Sequence, residues 1–384
     1  MSIVPVQLSI VIPCLDEEVT LARAIANAKE AIALARMPGE VIVADNGSTD
    51  RCVEIAGREG ARVVLVAKRG YGFALIAGMS AALGEFIIMG DADGTYDFRE
   101  AVPFIADLKS GADIVMGSRL RGNIADGAMP FLHRHVGTPV LSRLIRTFFG
   151  VRISDCNCGL RALKKSAFEW LAPVSGGMEF ASEMIIKAGL YGLRVTERPC
   201  SLLADTRDRP PHLRPWRDGW RHLRFILLFA PHVMFQIPGW TMLLVGVLIT
   251  TVVLPARLTI FGRIFDYHYL FYSIPLLILG CQALWFDKIE EYYVHFAGYL
   301  PRDIRRAQRI KPFPLDLWLL GGATVLLAGL IVLGSMFVGW LATGLGAMHH
   351  VRLGIAGMLL LILGAQTIMN AMIISMMEIK LDRG

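Results

Sequence analysis

Two carboxylates separated by one residue, Asp91 and Asp93, follow the apolar run 85–90, where a buried strand would end. Mg²⁺ and Mn²⁺ prefer hard oxygen ligands, and they commonly bind through one or two carboxylates while substrate phosphates fill other positions. The pair therefore suits an enzyme that holds a metal ion against a diphosphate. A tripeptide of this kind is common, and a solvated turn after a strand is the competing interpretation.

Alternating strands and helices are expected to position these carboxylates. Five short runs rich in β-branched residues predict buried parallel strands at 8–13, 40–45, 62–66, 85–89 and 113–116. The intervening stretches predict helices at 17–36, 49–59, 72–83 and 98–110. This alternation predicts an α/β fold with a doubly wound, mostly parallel sheet and right-handed crossovers.

Three of the predicted strand ends carry acidic or polar residues, at 14–17, 45–50 and 91–93. In a parallel sheet of this type, ligands bind beyond the carboxyl ends of the strands. Ser48 or Thr49 could also cap the helix that follows the second of these ends. The convergence of three such ends on one edge predicts a site for a nucleotide and a metal ion.

Several motifs in this order carry a family resemblance. They are Val11–Glu18, Val43–Asp50, Lys68–Gly72, Gly90–Gly94, Gly117–Arg119 and Asp155–Arg161, with Glu183 in a later helix. Residues 8 to about 225 resemble the family-two glycosyltransferases of GT-A fold, and among them the dolichyl- or polyprenyl-phosphate mannose and glucose synthases. The resemblance implies a Rossmann-like GT-A catalytic domain followed by a membrane domain.

The resemblance implies roles for the donor side of the site. The nucleoside would be lined by Pro13, Leu15 and Glu17, and Asp45 would accept a hydrogen bond from the base. Asp91 would face the ribose or the sugar, and Asp93 would ligate the Mg²⁺ or Mn²⁺ that bridges the diphosphate. Some relatives have Gln where this chain has Thr95. A basic loop that closes on the diphosphate would be represented here by Arg207, Arg209 and Arg214.

The acceptor implied by the resemblance is a lipid phosphate. A phosphate monoester has a second pKa of about 6, so its oxygen is an anionic nucleophile near neutral pH and requires no protein base. The site then mainly requires cations that position the lipid phosphate. Arg119 and Arg134 stand at the positions that carry these arginines in the family. Thr138 replaces the family's serine. Asp91, Asp93, Arg119 and Arg134 are thus the expected catalytic set.

The chain is 54% hydrophobic, and its mean hydropathy of +0.50 requires membrane segments. The apolar excess follows about residue 225, where four segments near 233–255, 269–286, 315–341 and 351–377 are long enough to span. Residues 216–229 place Trp216, Trp220, Leu223 and Leu227 on one helical stripe beside arginines, as in an interfacial helix; a core helix of the soluble domain is the alternative. The predicted domains are 1–214 (catalytic), 215–232 (juxtamembrane helix) and 233–384 (transmembrane).

Charge distribution predicts the orientation. The net charge of +6 favours anionic lipid over nucleic acid, because arginines cluster beside the apolar segments. No basic region followed by an apolar core begins the chain, so a cytoplasmic first domain is expected. The basic stretch 301–311, Lys380 and Arg383 then lie on the same side by the positive-inside rule. Both termini should be cytoplasmic, in an inner or plasma membrane.

Together, these expectations predict a membrane-bound inverting glycosyltransferase. It would move a hexose from a nucleotide-diphosphate sugar, of UDP-glucose or GDP-mannose type, to polyprenyl or dolichyl phosphate. The spans would anchor it, hold the acceptor's tail or form a homodimer or homotetramer. One alternative is a processive polysaccharide synthase, although the Gln-x-x-Arg-Trp motif of those enzymes does not occur here. The other is a non-catalytic scaffold or a lipid-linked sugar translocator.

Overall fold

The structure is a computed structural model that describes residues 5–205, 215–255, 257–260, 263–296, 313–345 and 350–379. Its contacts divide the chain into two compact units, Met1–Phe229 and Ala230–Gly384. The first unit contains a sheet with helices packed against it. The described residues of the second form four long apolar helices.

A seven-stranded sheet forms the centre of the first unit. Its strands are β1 (Leu8–Cys14), β2 (Gly39–Asp45), β3 (Arg62–Leu65), β4 (Phe86–Met89), β5 (Ile114–Ser118), β6 (Arg161–Lys164) and β7 (Val195–Pro199). They lie in the order β3-β2-β1-β4-β6-β5-β7. The prediction of an α/β fold with a mostly parallel sheet is confirmed. The expectation that all five predicted strands are buried is wrong for β3, which lies at the sheet edge with Arg62 and Leu65 exposed.

Strand β6 runs antiparallel to both of its neighbours, β4 and β5. Its first residue, Arg161, pairs with Met89 near the end of β4 and with Met116 near the end of β5. The residues that precede β6 therefore arrive at the edge where β4 and β5 end. This arrangement brings Asp155–Arg161 next to Asp91–Asp93.

Helices alternate with these strands. They are α1 (Leu21–Ala35), α2 (Cys52–Arg58), α3 (Tyr71–Ala81), α4 (Val102–Lys109), α5 (Thr138–Phe149), α6 (Lys165–Leu171), α7 (Phe180–Leu190) and α8 (Pro215–Leu228). A 3₁₀ turn, Phe98–Ala101, precedes α4, and a π-helical turn, His133–Gly137, precedes α5.

Helices α1 and α2 begin later than the sequence predicts. The backbone N–H groups of Glu17 and Glu18 donate to Cys52 Sγ and Asp50 Oδ2. These two residues are therefore bonded to the segment after β2, and α1 begins only at Leu21. Ser48 and Thr49 do not cap α2, so that interpretation is wrong. Asp50 Oδ1 instead accepts from the Cys52 N–H at 3.0 Å, in the first turn of α2.

Helix α8 packs against α5 and α7 through one face. Ile226 and His222 are buried there, and the ring Nδ1 of His222 lies 2.7 Å from Ser182 Oγ. Trp220 is 63% exposed on another face, and Leu223 and Leu227 are half-buried. The side chain of Trp216 lies outside the described residues. The alternative of a helix that packs on the soluble domain thus holds for one face, and contact with lipid headgroups stays a prediction.

The second unit contains the expected four spans, α9 (Ile237–Val253), α10 (Leu270–Phe296), α11 (Leu315–Ala342) and α12 (Val351–Ile379). A π-helical turn, His232–Gln236, precedes α9. With this turn included, each of the four described helices is long and apolar enough to cross a membrane. A short hairpin of β8 (Leu258–Ile260) and β9 (Arg263–Phe265) lies between α9 and α10. The basic stretch 301–311 and the C-terminal Lys380 and Arg383 lie outside the described residues.

Glycines allow α11 and α12 to pack closely. A Cβ atom at Gly329 of α11 would lie 2.6 Å from the Leu361 backbone N and 2.8 Å from the Gly357 carbonyl oxygen of α12. Gly334 of α11 has nothing within 4 Å of such an atom. Close backbone approach at small residues is the usual basis of helix association in membranes.

The Gly329→Leu substitution is therefore expected to lower the thermal unfolding midpoint of the full chain in detergent. Overpacking typically costs about 1–3 kcal/mol, and backbone atoms cannot move aside as side chains can. Gly334→Leu, the same change on an open face of the same helix, should leave the midpoint nearly unchanged. Equal midpoints for the two variants would show that this contact contributes nothing.

Candidate active site

Asp91 lies just beyond β4, at the carboxyl edge of the sheet. Its Oδ1 accepts a hydrogen bond of 2.9 Å from the hydroxyl of Tyr71, the first residue of α3. Its Oδ2 faces Gly159, where an added Cβ atom would lie only 2.4 Å away. Glycine at 159 is therefore required for the segment before β6 to approach the carboxylate.

The electrostatic surroundings of Asp91 oppose its negative charge. Burial, followed by repulsion from Asp93, raises the pKa of the Asp91 carboxyl to about 7. The hydrogen bond from Tyr71 and the charges of Arg119 and Arg161 lower this pKa, but they do not cancel the increase. A cation beside the two carboxylates would favour their charged forms.

Asp93 is oriented by a residue two positions further along the chain. Its Oδ1 accepts from the Thr95 backbone N–H at 3.0 Å and from the Thr95 hydroxyl at 2.6 Å. Thr95 thus acts on the carboxylate itself, at the position where some relatives have Gln. The hydroxyl fixes the direction in which Asp93 presents its remaining oxygen lone pairs.

The donor atoms at this edge fit Mg²⁺ or Mn²⁺ with substrate. Asp91 and Asp93 supply hard carboxylate oxygens whose mutual repulsion a divalent ion would relieve. Within the described ranges, no three His, Cys, Asp or Glu side chains are grouped to hold a metal ion. Two carboxylates with phosphate oxygens from a ligand are a common arrangement for Mg²⁺.

Arg119 follows β5 and is held by a buried ion pair. Its Nε and Nη2 donate to the two carboxylate oxygens of Asp155 at 2.7 and 2.8 Å, and its backbone N–H donates at 3.1 Å. The Asp155 side chain is fully buried and the Arg119 side chain is 13% exposed. Tyr96 completes this region, because its hydroxyl accepts from the Gly159 N–H at 3.0 Å. The guanidinium plane is thus fixed by Asp155, near enough to Asp91 that its charge lowers the pKa of that carboxyl.

The residues expected to line the nucleoside lie at the ends of β1 and β2. Pro13 and Glu17 are buried, and Leu15 is half-buried. Asp45 is also buried, and its carboxylate accepts from the backbone N–H groups of Gly47 and Ser48 at 3.1 and 3.3 Å. These bonds fix the loop after β2, and the contact of Asp45 with a base stays a prediction.

The remaining predicted site residues are an exposed arginine, a buried threonine and three arginines outside the described residues. Arg134 is exposed in the π-helical turn before α5, and Thr138 is buried as the first residue of α5. For the Arg134 side chain, the structure records no hydrogen bond with another described residue. Arg207, Arg209 and Arg214 lie outside the described residues. Their roles toward phosphate stay predictions.

A buried ion pair holds the loop that positions Tyr71. Glu183 of α7 contacts Lys187 at 2.7 Å and accepts from the backbone N–H groups of Val174 and Ser175. The next residue in the chain is Gly176, and its carbonyl accepts from the N–H of the residue after Tyr71 at 2.9 Å. Glu183 therefore acts at a distance, through this loop, on the residue that orients Asp91.

Tyr71 and Tyr96 are site residues that the sequence does not single out. Both have pKa values raised by burial, so both hydroxyls stay protonated at neutral pH. Tyr71 lies within the quoted Lys68–Gly72 motif, between two glycines, and that is the only signal it carries. Tyr96 directly follows Thr95 and has no such signal.

Replacing Tyr71 by Phe is expected to reduce kcat/KM for the donor about 10- to 100-fold. A hydrogen bond to a charged group contributes about 1.5–3 kcal/mol, and Phe removes this one while it keeps the ring. Initial rates at varied donor concentration measure the effect. Tyr272→Phe, at a residue that is 70% exposed in α10, is the matched control. Wild-type kinetics for Tyr71→Phe would exclude a role for this hydroxyl.

Comparisons with known proteins identify two matching family models. The model of glycosyl transferase family 2 matches residues 9–171. The model of the glycosyltransferase family 2 C-terminal transmembrane region matches residues 289–378. The two models thus fall on the sheet-containing unit and on the helical unit, respectively.

Curated relatives support the same grouping. The chain is 35% identical over 376 residues to the low-salt glycan biosynthesis hexosyltransferase Agl6 of Haloferax volcanii, covering 96% of this chain and 88% of that one. It is 32% identical to a dolichyl-phosphate hexose transferase of the same organism, over 42% of this chain and 68% of the relative. It is 26% identical to the undecaprenyl-phosphate 4-deoxy-4-formamido-L-arabinose transferase of Pseudomonas fluorescens, over 78% of this chain and 87% of the relative.

Among solved structures, the chain is similar to glucosyl-3-phosphoglycerate synthase from Mycobacterium tuberculosis in complex with Mn²⁺ and UDP-glucose. The sequence identity is 24% and the TM-score is 0.46, over 58% of this chain and 79% of that one.

Proposed function

This chain belongs to glycosyltransferase family 2, and we propose that it transfers a hexose from a nucleotide-diphosphate sugar to polyprenyl or dolichyl phosphate. The donor is of UDP-glucose or GDP-mannose type, and the product is a polyprenyl-phosphate sugar. One observation carries the proposal: at one edge of the sheet Gly159 lies against the Asp91 carboxylate, and the Arg119 guanidinium, held by Asp155, is near enough to lower the pKa of that carboxyl. A pair of carboxylates, one of them the proposed metal ligand Asp93, thus lies near a cation suited to phosphate.

On the donor side, the carboxylates prepare the leaving group. Asp93, oriented by Thr95, would ligate Mg²⁺ or Mn²⁺, and Asp91, oriented by Tyr71, would position the ribose or the sugar. The metal ion, when bound, would neutralise the charge that develops on the nucleoside diphosphate. Pro13, Leu15, Glu17 and Asp45 would hold the nucleoside at the ends of β1 and β2.

On the acceptor side, Arg119 and Arg134 hold the lipid phosphate, with Thr138 nearby in the chain. Asp155 keeps the Arg119 guanidinium in one plane, so little conformational entropy is lost when phosphate binds. An anionic phosphate oxygen attacks the anomeric carbon in line with the departing diphosphate. The new C–O bond forms as the bond to the diphosphate oxygen breaks, and the configuration inverts.

The chain is an integral membrane protein by its four apolar helices and its C-terminal family model. The proposed orientation places the catalytic unit and both termini in the cytoplasm, where nucleotide sugars are made. Residues 1–214 would form the catalytic domain, 215–232 a juxtamembrane helix and 233–384 the membrane domain. A homodimer or homotetramer would be formed through the spans.

A panel of labelled nucleotide sugars tests the function. The full chain, reconstituted in vesicles with undecaprenyl phosphate and Mg²⁺ or Mn²⁺, is expected to place a single hexose on the lipid from one donor of the panel. The anomeric configuration of the product then reports inversion. Long polymer as the product would favour a processive synthase. Donor binding without turnover would favour a scaffold or a translocator.

A further inference from the structure

We propose that the first unit carries a second anion site, separate from the donor and acceptor sites, that takes a phosphate-bearing ligand. A solvent-open cavity of about 610 Å³ lies at the surface beside the end of α5. Its lining includes Arg121, Arg146, Arg152, Ser154 and Glu197. Of the described residues, none that was assigned above to the donor or the acceptor lines it.

Three different segments bring the arginines together. Arg121 follows β5, Arg146 lies in the last turn of α5, and Arg152 lies between α5 and β6. A cation near a helix C-terminus also offsets the helix dipole, which could account for Arg146 by itself. It does not account for the presence of all three arginines around one cavity.

Among the described lining residues the one carboxylate, Glu197, is already hydrogen-bonded by the protein. The side chain of Glu197 is 5% exposed, and its Oε1 accepts from the backbone N–H groups of Ser154 and Asp155 at 2.7 and 3.1 Å. The Ser154 hydroxyl adds a bond of 2.9 Å. Glu197 thus forms a rigid, hydrogen-bonded floor for the cavity.

The charge that remains in the cavity is positive. Arg121 is the only one of the three arginines that contacts Glu197, at 3.3 Å. In the described part of the chain, neither Arg146 nor Arg152 has an acidic partner within 4.0 Å. Three cations against one carboxylate match an anion of charge about −2, which is the charge of a phosphate monoester near neutral pH. Guanidinium groups also bind phosphate oxygens in a bidentate manner that lysine lacks.

Isothermal titration of the full chain in detergent with inorganic pyrophosphate tests the site. EDTA is included so that no divalent ion supports binding at Asp91 and Asp93. The wild type is expected to bind, and Arg146→Ala/Arg152→Ala should weaken binding at least about 10-fold, since each lost charged hydrogen bond costs that much or more. The charge-matched control, Arg36→Ala/Arg58→Ala, should bind like the wild type.

Two results would overturn the proposal. One is the absence of pyrophosphate binding to the wild type, and the other is equal binding to the cavity variant and its control. The readout is binding and not transfer, so the outcome is independent of the proposed function.

Nanodiscs distinguish the two sources of phosphate. Weaker pyrophosphate binding in discs that contain phosphatidic acid than in discs of phosphatidylcholine alone would identify a lipid headgroup as the competing ligand, provided that Arg146→Ala/Arg152→Ala abolishes the difference. Equal binding in the two kinds of disc would identify a soluble ligand. The site stands in either case, provided that the cavity variant removes the binding.

Discussion

Asp93→Asn is expected to lower the transfer rate about 100- to 1,000-fold, as the loss of one preorganised electrostatic group does in other enzymes. An amide is a poor ligand for Mg²⁺ or Mn²⁺, so the leaving diphosphate would lose its counter-charge. The fold should be unaffected, because Asn Oδ1 can still accept both hydrogen bonds from Thr95. Initial rates at several metal concentrations, with donor and undecaprenyl phosphate, measure the change.

Asp126→Asn provides the control for this prediction. Asp126 is exposed in the segment after β5, and the same change there should leave the transfer rate unchanged. Full activity of Asp93→Asn across the metal concentrations would remove the metal-ligand role from Asp93.

Asp155→Asn is expected to reduce both stability and transfer. Removal of one charge from a buried ion pair costs about 3–5 kcal/mol, because the other charge is left without its partner. Arg119 would also lose its fixed plane, so KM for the lipid phosphate should rise and kcat should fall. Chemical denaturation of the full chain and kinetics at varied acceptor concentration separate the two effects.

A surface ion pair in the same unit gives the contrast. Asp113 contacts Lys164 at 3.3 Å, and both side chains are about one quarter exposed. Asp113→Asn should cost less than about 1 kcal/mol and leave the acceptor KM unchanged. If Asp155→Asn behaved in the same way, Asp155 would have no special role in holding Arg119.

The strands that could be predicted are those whose sequences are apolar and rich in β-branched residues. β1, β2 and β4 consist mostly of buried apolar residues, and their positions follow from that pattern. β6 and β7 could not be found in this way. β6 has four residues, none of them β-branched, and β7 is polar at three of its five positions. Their places in the sheet depend on pairing with distant strands, which a local pattern does not encode.

The same limit applies to the candidate site. Asp91 and Asp93 stand out because they directly follow an apolar run. The contact of Tyr71 with Asp91 could not be predicted in this way, because it depends on the position of α3. The Gly176 carbonyl, in a distant loop, helps to fix that position. The pairing of Arg119 with Asp155 joins residues 36 positions apart. Motif resemblance located both partners, but only the folded geometry assigned them to each other.

The antiparallel insertion of β6 also affects how the chain emerges from the ribosome. At about 5–20 residues per second, synthesis of the stretch from Ser118 to Arg161 takes roughly 2–9 s. Throughout that interval, the edges of β4 and β5 that β6 will cover remain unpaired, and unpaired strand edges attract other chains. Arrival of β6 protects those edges and delivers Gly159 to Asp91 in the same event. Nascent chains that stall before Arg161 should therefore be both inactive and prone to aggregate.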